Sequence, residues 1–176
     1  MFRPQSRQRP PVSRRRRFND MRKKIIGAIL SIAICELAGG VGAIFTTPNV
    51  VGWYAELVKA PLNPPAFVFG PVWTTLFALM GIAAFLVWEK RKDREVKTAL
   101  AVFVLQLVLN VLWSVLFFGA HSPAAAFIDI IALWLAIIWT IIAFWKVTRL
   151  AAWLIIPYIL WVTFAAYLNY SVMILN

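Results

Sequence analysis

Five apolar runs, each long enough to cross a lipid bilayer, constrain this chain more than any other feature. An α-helix rises about 1.5 Å per residue, so about 20 residues cross the hydrocarbon core. Residues 25–47, 69–88, 98–118, 124–145 and 150–175 all meet that length. Lipid offers no hydrogen bonds to a polypeptide backbone, so such runs must close their own bonds as helices. The sequence therefore predicts an all-α membrane protein: a bundle of five transmembrane helices, with a long proline-rich loop at 48–68 joining the first two. That loop carries Pro48, Pro61, Pro64 and Pro65. A 62% apolar composition agrees, because a soluble domain averages nearer half.

Charge then sets orientation. Ten Lys/Arg precede the first run, five follow the second, two follow the fourth, and Lys59 alone falls on the other side. Seventeen against one places the N-terminus in the cytoplasm by the positive-inside rule. Other helix counts scramble that segregation. The net charge of +11 is thus a topology signal and not a nucleic-acid-binding face. Residues 1–24, rich in Arg and Pro, read as a disordered basic tail that touches anionic lipid headgroups. An organelle transit peptide is the second reading.

Soluble-enzyme chemistry finds little support. Cys35 is the single cysteine, so an internal disulfide and a Cys-rich metal site are both excluded. His121, the single histidine, sits beside Ser122 in a short loop, and reads as a solvated side chain. No ligand spacing suggests a metal, and no cofactor is required. The polar residues inside the runs are Glu36, Gln106, Asn110, Asp129 and Asn169. Gln106, Asp129 and Asn169 read first as interhelical hydrogen-bonding groups. Trp53, Trp88 and Trp145 fall at span ends, where aromatic belts form. Trp73, Trp113, Trp134 and Trp161 fall inside spans, where indoles build flat apolar walls. Pro157 should kink the last helix one turn before Trp161.

Several motifs recur in order along the chain. They are Trp53-Tyr54 with Leu57, Lys59 and Pro61, then Pro64-Pro65, then Phe69-Gly70-Pro71-Val72-Trp73-Thr74. Met80-Gly81, Val87-Trp88, Gln106-Leu107, Leu109-Asn110, Trp113-Ser114 and Leu116-Phe117-Phe118-Gly119 follow. Pro157-Tyr158, Trp161, Phe164-Ala165 and Leu168-Asn169 close the series. This pattern resembles the tryptophan-rich sensory protein family, also called translocator or peripheral benzodiazepine receptor proteins, over residues 25–176.

The resemblance implies a homodimeric five-helix bundle with a pocket closed by the first loop. The implied ligand is a porphyrin or haem-like tetrapyrrole, a hydrophobic planar small molecule; animal members also bind cholesterol and synthetic drugs. Matched by motif, Trp73, Asn110, Trp113, Trp161, Ala165 and Leu168 should line the pocket. Ala43 should border it, and Trp53 and Tyr54 should cover it. The implied function is a membrane binding protein for tetrapyrroles, a sensor, scavenger or carrier. The alternatives are an enzyme that degrades porphyrin in light through Trp73 and Trp161, and a transporter of tetrapyrroles or sterols. Five spans do not divide into two equal inverted halves, which weighs against the commonest transporter design. Departures from the pattern lie at Leu62 and Phe67, where members often carry tryptophan. No Lys or Arg follows Arg149, so the animal sterol pattern cannot be completed and tetrapyrroles are favoured.

Overall fold

A computed structural model describes the backbone of residues 14–176 and the side chains from Phe18 onward. Six α-helices follow one another: α1 (Arg14–Val50), α2 (Trp53–Glu56), α3 (Ala66–Glu89), α4 (Glu95–Ser114), α5 (Pro123–Val147) and α6 (Arg149–Leu175). Five of them, all but the one-turn α2, are long and apolar enough to span a bilayer. Consecutive spans are antiparallel, as the tight turns at 120–122 and Thr148 require. α1 packs on α3 and α4, α3 on α6, and α5 on both α4 and α6. The ring therefore runs α1–α3–α6–α5–α4.

Two expectations need correction. The expected disordered tail spanned residues 1–24, but α1 already begins at Arg14; residues 1–13 lie outside the described residues. Arg and Lys are good helix formers, and neither Pro nor Gly stands between Arg14 and the apolar run. A helix nucleated in lipid therefore propagates outward at little cost. With 37 residues, α1 is about 55 Å long and overshoots the membrane core. The connection between the first two spans is also shorter than 48–68. Pro48 lies in the last turn of α1, and α3 starts at Ala66, directly after Pro64-Pro65. Proline near a helix end loses one hydrogen bond without ending the helix at once, whereas a proline disfavours helix in the residue before it.

Small residues set how closely the helices approach. Ala83, Ala99, Ala126, Ala151 and Ala152 are completely buried between helices. A Cβ on Gly81 would lie 2.5 Å from the Cα of Ile32, so α1 and α3 touch backbone to backbone there. Ser31 Oγ donates to the Gly81 carbonyl at 2.8 Å, and Lys24 pairs with Glu89 at 2.8 Å at the far end of the same seam. Large side chains fill the middle: Met80, Leu133, Ile137 and Phe144, with Phe103 stacked on Phe144 at 5.7 Å. The chain thus makes a tightly packed half on the side of the α3–α4 and α5–α6 turns.

A candidate ligand-binding cavity

Toward the α1–α3 connection the helices part. Gly39 still faces Phe77, whose ring a Cβ there would strike, but Gly40 and Gly70 have nothing within 4 Å. Between α1, α3, α4 and α6 this leaves a cavity of about 610 Å³. That lies within the range of small-molecule sites.

The walls come from four helices. α3 contributes Trp73 and Phe69, and α6 contributes Trp161, Ala165 and Leu168. Phe69 meets Trp161 edge-on at 5.9 Å, and Trp73 meets Tyr158 edge-on at 6.2 Å. Each indole is thereby braced by a neighbouring ring. α4 contributes Asn110 and Trp113. Its last turn widens into a π-helix at Val115–Gly119, where Ala120 N donates to the Val115 carbonyl at 2.8 Å. That extra residue per turn brings both Phe117 and Phe118 onto the wall. α5 begins cleanly beyond it, with Ser122 as N-cap accepting from Ala125 N and Pro123 in the first turn.

Buried polar groups fix these side chains. Trp113 Nε1 donates to Asn169 Oδ1 at 2.9 Å, and Asn169 Nδ2 donates to the Pro123 carbonyl at 2.8 Å. The Trp113 N–H is therefore consumed by the scaffold, and its ring is what the cavity meets. Asn110 Nδ2 donates to Tyr158 Oη at 3.0 Å. That bond holds the amide on the wall while its oxygen and second N–H remain free of the pair. Gln106, one turn below on the same face, has only a long contact from Nε2 to Met80 Sδ at 3.8 Å. The interhelical role expected for Asn169 is thus visible. Asp129 Oδ2 instead has no hydrogen-bond partner among the described residues.

The connection caps one end. Tyr54 stands on the wall and donates its hydroxyl to Asn63 Oδ1 at 2.7 Å, which ties α2 to the proline segment. Burial pushes the Tyr54 phenol above its ordinary range, and the bond to Asn63 draws it back. At the chain's end, Asn176 clamps the segment: its Oδ1 accepts from Val58 N at 3.0 Å and its Nδ2 donates to the Val58 carbonyl at 3.1 Å. Trp53 does not reach the wall. It stacks on His121 at 4.4 Å with planes 12° apart, and meets Phe117 edge-on at 5.6 Å. His121 also bonds Asn49 Oδ1 at 2.9 Å, so this exposed loop histidine anchors the connection.

Of the nine residues expected at the site, Ala43, Tyr54, Trp73, Asn110, Trp113, Trp161, Ala165 and Leu168 lie on one wall system, and Trp53 stands one layer outside it. The sequence matches the TspO/MBR family over residues 31–175, all of the bundle except the start of α1. The chain belongs to the TspO/MBR family. It is 42% identical over 157 residues to the Tryptophan-rich protein TspO of Chlorobaculum tepidum, covering 89% of this chain and 99% of that relative. The Tryptophan-rich protein TspO of Archaeoglobus fulgidus is 41% identical, covering 87% of this chain and 97% of its own length. The Translocator protein of Homo sapiens is 38% identical over 134 residues, 75% of this chain and 79% of that protein. With family and spans together, this chain is an integral multi-pass membrane protein.

Other wall residues of this TspO/MBR protein are harder to tell apart in the sequence. Phe69, Phe117 and Phe118 sat within the quoted motifs, but a phenylalanine in lipid carries no mark that separates a wall from a core. Glu36 carried the clearest signal, a charge at mid-span, and the structure puts it on the cavity wall.

Proposed function

We propose that the protein binds a tetrapyrrole in this cavity and serves as a membrane sensor, scavenger or carrier. One observation carries the reading: Trp73 and Trp161, on the adjacent helices α3 and α6, line one apolar cavity large enough for a flat macrocycle. Flat rings stack on indoles, and the surrounding Phe69, Phe117 and Phe118 exclude water. Asn110 supplies a hydrogen bond to a carbonyl or carboxylate of the ligand. In this reading the N-terminus faces the cytoplasm and the cavity mouth opens toward the opposite leaflet. The protein works as a homodimer, and it needs no cofactor.

Titration of purified protein with protoporphyrin IX, followed by quenching of tryptophan fluorescence, tests the reading. Saturable quenching that weakens about tenfold in Trp161→Phe and Trp73→Phe supports it, since stacking on one aromatic is worth on the order of 1 kcal/mol or more. Absence of saturable quenching in the wild type refutes it.

A second reading has its own observation. The two indoles share the cavity, and Tyr158, buried behind the wall, touches Trp73 edge-on at 6.2 Å. Oxidation of bound porphyrin in light by dissolved dioxygen, with these rings relaying the electrons, is then open, and a new absorbing product, lost in both variants, marks it.

A further inference from the structure

The cavity wall carries one ionisable carboxylate, Glu36, and no basic residue. Glu36 stands at the midpoint of the apolar run 25–47, where a charge is costly in lipid. It forms no ion pair among the described residues. It shares a stripe of α1 with Gly40, Ala43 and Thr47, all of which line the cavity. One turn above it, α1 and α3 separate: Gly39 is closed against Phe77, and Gly40 is open. Glu36 therefore sits at the floor of the cavity, one turn below the approach of Gly39 to Phe77.

The mouth has the opposite polarity. Lys59 Nζ lies 4.9 Å from the centroid of the Tyr54 ring, whose other neighbours include the wall phenylalanines. It is held there by the carbonyls of Ala55 and Leu57 at 2.9 and 3.0 Å. From Glu36 to Val50, the two ends of the α1 wall, the helix rises about 21 Å. The floor thus carries the one carboxyl group of the wall, and Lys59 stands beside the Tyr54 ring, outside the wall at the mouth. In a medium of low dielectric, a carboxylate favours a cation or an N–H donor and repels a second carboxylate.

We propose that Glu36 makes the cavity selective: it favours a flat ligand with a cationic or N–H-donating group at the inner end. A ligand bearing carboxylates on one edge is held with that edge toward the mouth. This inference rests on the reading that the cavity binds a flat ligand.

Three tricyclic probes of one outline separate charge from shape: 9-aminoacridine as the cation, 9-anthracenemethanol as the neutral form and anthracene-9-carboxylate as the anion. The full chain is reconstituted in neutral phosphatidylcholine nanodiscs, and dissociation constants come from tryptophan quenching. The wild type binds the cation most tightly. Glu36→Gln weakens the cation about tenfold, the size of one charge-assisted hydrogen bond, and leaves the neutral probe within about twofold. Glu36→Asp keeps most of the preference. An unchanged cation-to-anion ratio in Glu36→Gln overturns the proposal, and so does an equal loss in Gln and Asp, which marks a structural effect. Protoporphyrin IX in the same discs keeps the two claims apart: if it does not bind while the charged probes are discriminated, the tetrapyrrole reading falls and the role of Glu36 stands.

Discussion

The two ends of the α1–α3 seam are built from the same residue types and do opposite things. At the turn-side end, glycine brings backbones together: a Cβ on Gly81 would strike the Cα of Ile32 at 2.5 Å, and one on Gly27 would strike the Phe85 ring at 2.7 Å. At the loop-side end, Gly40 and Gly70 face open space, and the helices stand apart around a cavity of about 610 Å³. Small residues in membrane helices are usually read as packing devices. Gly81 and Gly27 are such devices here, and Gly40 and Gly70 keep a wall clear. What separates the two is the size of what stands opposite: Ile32 and Phe85 press in on the first pair, and no side chain presses on the second.

That contrast can be broken by one substitution made in both halves. Gly81→Ala forces a side-chain carbon against backbone that cannot yield, and should cost about 1–3 kcal/mol as overpacking. Thermal unfolding in detergent should show the loss. Trp113→Phe comes next. It removes the donor to Asn169 at 2.9 Å, a bond that joins α4 to α6 in the cavity wall, and should cost on the order of 0.6–1.7 kcal/mol. The same unfolding measurement detects it, and Asn169→Leu on top of it should add less than it does alone. Gly40→Ala has the smallest effect and the opposite sign. It meets nothing within 4 Å and gains helix propensity, so stability should rise by up to about 1 kcal/mol. A loss at Gly40 equal to that at Gly81 would erase the distinction between the halves.

The five spans were legible because bilayer thickness imposes a length that hydropathy reveals. The start of α1 was not, since Arg14 to Lys24 looks solvated by composition while its backbone continues a helix begun in lipid. Trp73, Asn110, Trp113 and Trp161 were legible through the ordered motifs, and the structure puts all four on one cavity. The place of Trp53 was not: its stack on His121 depends on the α4–α5 turn, 68 residues later in the chain, where His121 takes a positive φ of 49°. The π-helical turn at Val115–Gly119 was equally hidden, because a register change of one residue leaves no mark in hydropathy. Gly40 and Gly81 also look alike in sequence; only the neighbour across the seam distinguishes them.

The most direct test is a protoporphyrin IX titration of Gly40→Leu beside Gly81→Ala, each at a temperature where it is folded. The account predicts that Gly40→Leu loses binding at least tenfold while its unfolding temperature holds, and that Gly81→Ala unfolds earlier but binds within about twofold of wild type. Unchanged binding in Gly40→Leu, or binding lost equally in both variants, would contradict a ligand site confined to the open half.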